Sequence, residues 1–193
     1  MTGLPAQLRG LVIEGIEQSY RTFMEAKLFR HIDIFTDRTH IPLGLPQDVA
    51  AHCADYERQI AEHGGIDIQV LGIGRNGHIG FNEPGEAFGR LTHRVTLSDS
   101  TRQANARFFS QQEEVPTYAI TMGLKSIMNA RRVLLLAAGA DKSSAVCRAV
   151  CGDVSEAHPA SVLKLHPNCV FVLDDAAAAE LPAAFRQNKE VAK

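Results

Sequence analysis

The chain has 193 residues, enough for one domain with a sizeable core. Its composition, 45% hydrophobic and 22% charged, is ordinary for a globular protein, and a formal net charge of -2 argues against a general affinity for nucleic acid or anionic membranes. No apolar run approaches the roughly 20 residues of a transmembrane helix, no secretory signal opens the chain, and the four cysteines form no C-x-x-C pair, so reduced thiols in a cytoplasmic protein without a metal site are expected.

In chain order, residues 18–31, QSYRTFMEAKLFRH, place Phe23, Ala26, Leu28 and Phe29 near one face of a helix. Residues 47–63 start after Pro46 and carry Val49, Cys53, Tyr56 and Ile60 at helical spacing. IDIQVLGIG is a β-branched run ending in glycine, the pattern of a buried strand feeding a loop. RVTLSD reads as another short strand, and SDSTRQANARFF as a helix that Ser98 or Asp99 can cap. RRVLLLAAG is the clearest buried strand, ADKSSAVCRAVC the helix after it, and NCVFVLDD the last strand. The alanine-rich DDAAAAELPAAF reads as a short helix broken at Pro182, ahead of a frayed polar end. This alternation predicts an α/β, three-layer Rossmann-like fold: a mainly parallel sheet with helices on both faces. Ligands in such sheets sit where loops leave the carboxyl ends of strands.

One such loop is GIGRNGHIGFNEPG, residues 72–85. Gly72, Gly74 and Gly77 match the dinucleotide pattern G-x-G-x-x-G, but that fingerprint needs a helix opening at the third glycine. Gly80, Pro84 and Gly85 follow too soon for one. The glycines instead suggest close approach of backbone to a ligand. His78 and Glu83 share the loop, and a carboxylate that orients an imidazole leaves its other nitrogen free for proton transfer.

LGIGRNGHIGFNEPG closely resembles the signature of the glucosamine-6-phosphate deaminases, and the likeness continues through DSTRQANARFF, VPTYAITMG, AAGADKSSAV and SVLKLHP. The resemblance covers roughly residues 18–175 of a single domain spanning 1–193, with 1–17 divergent and 183–193 a tail. It implies isomerisation and deamination of glucosamine 6-phosphate to fructose 6-phosphate and ammonia, a step of amino-sugar catabolism, with no metal or organic cofactor. It assigns ring opening to His78 and orientation of that histidine to Glu83, with Asn76 where the family has an acid or an amide. An amide positions an imidazole but stabilises its cation less than a carboxylate does. The resemblance assigns the substrate phosphate to Arg107 and Lys142. Physical chemistry supports both: Lys142 lies in the first turn after a strand, where helix amides favour an anion, and arginine is a bidentate donor.

The family's N-terminal part has no match here. It carries a glycine- and threonine-rich phosphate loop and the aspartate that removes the C2 proton. The residues before Gln18 hold no aspartate, and Glu14 and Glu17 are the nearby carboxylates. The expectation is a sheet lacking N-terminal strands of the family, with exposed strand edges and apolar faces, and impaired catalysis. The partner is a small sugar phosphate, not nucleic acid or membrane; a homo-oligomer is left open. The rival readings are a non-catalytic remnant that binds sugar phosphate or associates with other subunits, and a 6-phosphogluconolactonase-type hydrolase.

Overall fold

The computed structural model describes residues 20–44, 46–106 and 116–186. Its elements are α1 (Tyr20–Lys27), α2 (Val49–Glu62), β1 (Ile68–Leu71), β2 (His93–Thr96), α3 (Asp99–Asn105), β3 (Tyr118–Thr121), α4 (Leu124–Met128), β4 (Arg132–Ala137), α5 (Ser143–Cys151), β5 (Cys169–Leu173) and α6 (Ala183–Arg186). Short 3-10 helices cover Phe29–His31, Thr36–Arg38, Ala140–Lys142 and Pro159–Leu165. The chain divides into two compact units: residues up to Gln59 with Thr92–Thr121, and Ile60–Leu91 with Met122 onward.

In the first unit, β2 and β3 pair antiparallel, His93 opposite Thr121 and Thr96 opposite Tyr118. The strand expected in RVTLSD is therefore present but lies outside the parallel sheet, and its partner Tyr-Ala-Ile-Thr is a strand that the sequence pattern did not announce. Helical boundaries follow local chemistry. Asp48 Oδ1 accepts from the Ala51 amide at 3.0 Å and caps α2. Ser98 Oγ accepts from the Thr101 amide at 3.2 Å and caps α3, which leaves Asp99 as its first residue. The helix expected over 18–31 ends at Lys27 and tightens into the 3-10 helix Phe29–His31.

In the second unit, β1, β4 and β5 form a parallel sheet in the order β1-β4-β5, with Leu71 beside Leu135 and Leu135 beside Phe171. Alternation along each strand sorts the residues between two faces. One face turns Leu71, Val133 and Leu135 into a cluster with Leu124 and Ile127 of α4, Val146 and Ala149 of α5, and Val162 and Leu163. Each fully buried leucine or isoleucine there contributes about 1.5–3 kcal/mol of transfer free energy.

The opposite face carries Ile68, Val70, Leu136, Val170 and Val172, which are 44–55% exposed. Parallel sheets are normally covered on both sides, so the second helical layer is not closed over these strands by the described residues. The alanine run after β5 also differs from expectation. Asp174 takes the Ala177 amide at 2.7 Å and turns the chain, so these residues form turns, and the short helix α6 comes only after Pro182. Among the described residues, no helix is long and apolar enough to cross a membrane.

Candidate active site

The loop after β1 closes on itself. The Gly74 amide donates to the His78 carbonyl at 2.9 Å, and the Gly77 amide to the Gly74 carbonyl at 3.0 Å. Ile79 is fully buried and anchors the loop in the core. Asn82, equally buried, clamps the next turn: its Nδ2 donates to the carbonyls of Ile79 and Met122, both at 2.9 Å. No helix opens after Gly77, so the geometry of a dinucleotide fingerprint is absent.

Two of the glycines have a steric reason that differs from the expected approach of a ligand. A Cβ on Gly74 would lie 2.3 Å from the His78 ring, and one on Gly77 would lie 2.1 Å from the ring of His158. Gly77 also has φ 85°, a left-handed conformation suited to glycine. The glycines make room for two imidazoles, those of His78 and His158.

His78 and Glu83 do not meet directly, their closest approach being 3.7 Å from Nδ1 to Oε2. Asn76 stands between them. Its Oδ1 is 2.8 Å from His78 Nδ1, and its Nδ2 donates to Glu83 Oε2 at 2.7 Å. This chain sets the protons. A carboxylate only accepts, so the amide nitrogen of Asn76 must face Glu83 and its oxygen must face His78. His78 Nδ1 therefore carries the proton and donates, and Nε2 of the neutral ring presents a lone pair. Burial pushes the His78 pKa below its ordinary value; Glu83 pulls it up and Lys142 pushes it down. At neutral pH the ring is an uncharged base.

Lys142 ends the 3-10 helix Ala140–Lys142 immediately before α5, at the carboxyl end of β4. The turn that presents it is held by Asp174, whose two carboxylate oxygens accept from the Gly139 amide at 3.1 and 2.9 Å. Its charge is close enough to act on His78. The structure thus gathers Asn76, His78, Glu83 and Lys142 around the carboxyl edge of one sheet. Arg107, the other residue expected at the phosphate, lies outside the described residues.

Two residues of this region carried no clear signal in the sequence. Asn82 was visible only as a neighbour of Glu83 in the motif. His158 had no local signal: it is 80 positions from His78, its Nε2 donates to the Ala145 carbonyl at 2.9 Å, and its buried Nδ1 has no hydrogen-bond partner among the described residues. The Ala160 amide donates to the Gly77 carbonyl at 2.9 Å, which ties this segment to the loop.

His158 is also pushed below its ordinary pKa, first by burial. Both histidines thus have folded pKa values below the ordinary 6.5. Above that pH neither state binds the protons, and stability is unaffected. As pH falls below it, the unfolded chain protonates first, so stability is lost until the folded rings titrate too. Urea midpoints are expected to fall on acidification below about pH 6.5, and less so in His158→Gln. A midpoint that rises over this range would contradict the burial of these rings.

Residues 11–171 match the family of glucosamine-6-phosphate isomerases and 6-phosphogluconolactonases. The chain is 55% identical over 156 residues to a glucosamine-6-phosphate deaminase of Lachnoclostridium phytofermentans, covering 81% of this chain and 66% of the relative. It is 49% identical to the deaminase of Shouchella clausii, covering 91% of this chain and 68% of that one. A solved monomeric glucosamine-6-phosphate deaminase superposes with a TM-score of 0.85 at 44% identity, over 89% of this chain and 71% of that structure. The chain therefore spans about two thirds of the length of the relatives it matches. With the family matched over most of its residues and the fold shared with a solved relative, the chain belongs to the glucosamine-6-phosphate isomerase/6-phosphogluconolactonase family.

Proposed function

We propose that this chain carries the ring-opening part of a glucosamine-6-phosphate deaminase site. The observation that supports the reading best is the chain of hydrogen bonds from His78 through Asn76 to Glu83, which leaves Nε2 of a neutral imidazole available. Glucosamine 6-phosphate is a cyclic hemiacetal. Opening it breaks the C1–O5 bond and moves a proton from the anomeric hydroxyl to O5. His78 Nε2 takes the first proton and returns it to O5 as the conjugate acid. Glu83 steadies the transient imidazolium, and Lys142 binds the phosphate. The ligand is a small sugar phosphate, and the setting is the cytoplasm.

Ketose formation and loss of ammonia then require removal of the C2 proton, which the family resemblance assigns to an aspartate with no match in this sequence. In a coupled assay with glucosamine 6-phosphate, the 193-residue chain is expected to release ammonia no faster than His78→Ala. The same substrate, titrated into chain labelled with 13C-histidine, is expected to shift the His78 ring resonances. No shift at millimolar substrate would sink the reading. Ammonia release that depends on His78 would make Glu14 the first candidate for the C2 base. The second reading is a remnant that binds sugar phosphate without turning it over. Joining the additional segment of a relative to this chain restores turnover under the first reading and leaves it flat under the second.

A further inference from the structure

The loop after β1 and the turn after β4 leave neighbouring parallel strands at their carboxyl ends, and one ion cluster joins them. Arg75 Nε donates to Asp141 Oδ2 at 3.0 Å, and Lys142 Nζ stands 3.9 Å from the same oxygen. Two cations from two loops therefore face one carboxylate oxygen. The pair does little to hold either segment. The β1 loop is closed by its own backbone hydrogen bonds, and the β4 turn is fastened by Asp174 at Gly139. The Arg75 side chain is 77% exposed and that of Asp141 43%. Exposed pairs of this kind are weak and screened by salt, so Asp141 is easily exchanged for a stronger anion.

We propose that Arg75 is a second cation of the anion site at Lys142, and that the Asp141 carboxylate fills that site until a phosphoryl group displaces it. The proposal rests on the reading of Lys142 as a phosphate ligand. A phosphate monoester carries close to two negative charges at neutral pH and three terminal oxygens; a guanidinium fork binds two such oxygens side by side. The incoming dianion outcompetes a single carboxylate for both cations, and Asp141, already partly exposed, turns to water. Arg75 holds the Asp141 carboxyl below the usual carboxylate range, so the competitor is charged at neutral pH. Asp141 thereby acts as a threshold: phosphorylated sugars pass it, whereas unphosphorylated sugars and singly charged sugar acids do not.

The test is titration of inorganic phosphate at constant ionic strength into 15N-labelled chain, following the amides of Gly139 to Ser143. Arg75→Ala is expected to weaken binding by about fivefold, and Asp141→Asn to tighten it by about two- to fivefold, the scale of an exposed ion pair. Arg75→Lys, which keeps the charge but loses the fork, should fall between wild type and Arg75→Ala. Unchanged amide spectra away from the turn report an intact fold. If Lys142→Met weakens binding and Arg75→Ala does not, the role given to Arg75 is wrong while the anion site stands. If neither variant weakens binding, the anion site itself fails and takes the proposal with it. Weaker binding in Asp141→Asn would show that Asp141 holds Arg75 in place instead of competing with phosphate, and would overturn the threshold.

Discussion

Gly77→Ala is expected to destabilise the chain by about 3 kcal/mol or more, enough to unfold a marginal domain. Two costs combine. The residue has φ 85°, and a left-handed conformation costs an L-residue about 1–2 kcal/mol. The new methyl would also lie 2.1 Å from His158 Nδ1. That ring cannot retreat easily: it is 3% exposed, its Nε2 is bonded to the Ala145 carbonyl, and its backbone amide to the Ser155 carbonyl. Gly85 provides the control, with φ 95° and nothing within 4 Å of the place a methyl group would take. Gly85→Ala should cost only the conformational part, about 1–2 kcal/mol. Adding His158→Ala to Gly77→Ala should recover part of the steric cost in a double-mutant cycle. Urea midpoints would decide it, and equal losses in the two alanine variants would show that the His158 contact is not what excludes a side chain at Gly77.

Glu83→Gln is expected to act on chemistry more than on folding. Glutamine keeps an oxygen to accept from Asn76 Nδ2, so the relay survives as hydrogen bonds but loses its charge. His78 is already held below its ordinary pKa by burial, and Glu83 is what raises it. Removing that charge should lower the His78 pKa further. Lys142→Met should move it the other way, because the lysine pushes it down. Titration of the His78 ring by 13C NMR reads both signs without needing turnover. In a chain completed with a relative's additional segment, Glu83→Gln should cost about 10²-fold or more in turnover, the scale of general acid–base catalysis. A raised His78 pKa in Glu83→Gln would mean that the carboxylate does not reach the ring through Asn76.

Sequence alone determined the local features. The β-branched run of β1 and the leucine-rich run of β4, each ending in glycine, identified two strands, Ser98 or Asp99 announced the cap of α3, and Gly80 and Pro84 ruled out a helix behind the glycines of the loop. Each rests on contacts within a few residues, and backbone geometry makes such patterns readable. His78 and Glu83 stand out because they share one short loop, and Asn76 enters only through the family resemblance. Tertiary structure decided how they connect. Whether His78 meets Glu83 or Asn76 depends on a loop whose turns are pinned by Met122 and His158, 40 and 80 positions from Asn82 and His78. The antiparallel pairing of β2 with β3 was equally hidden, because a four-residue apolar segment shows no period that separates strand from helix. The same holds for the meeting of Arg75 with Asp141 across 66 positions. Partners that far apart in sequence are chosen by how strands pair and loops pack, and no local spacing encodes that choice.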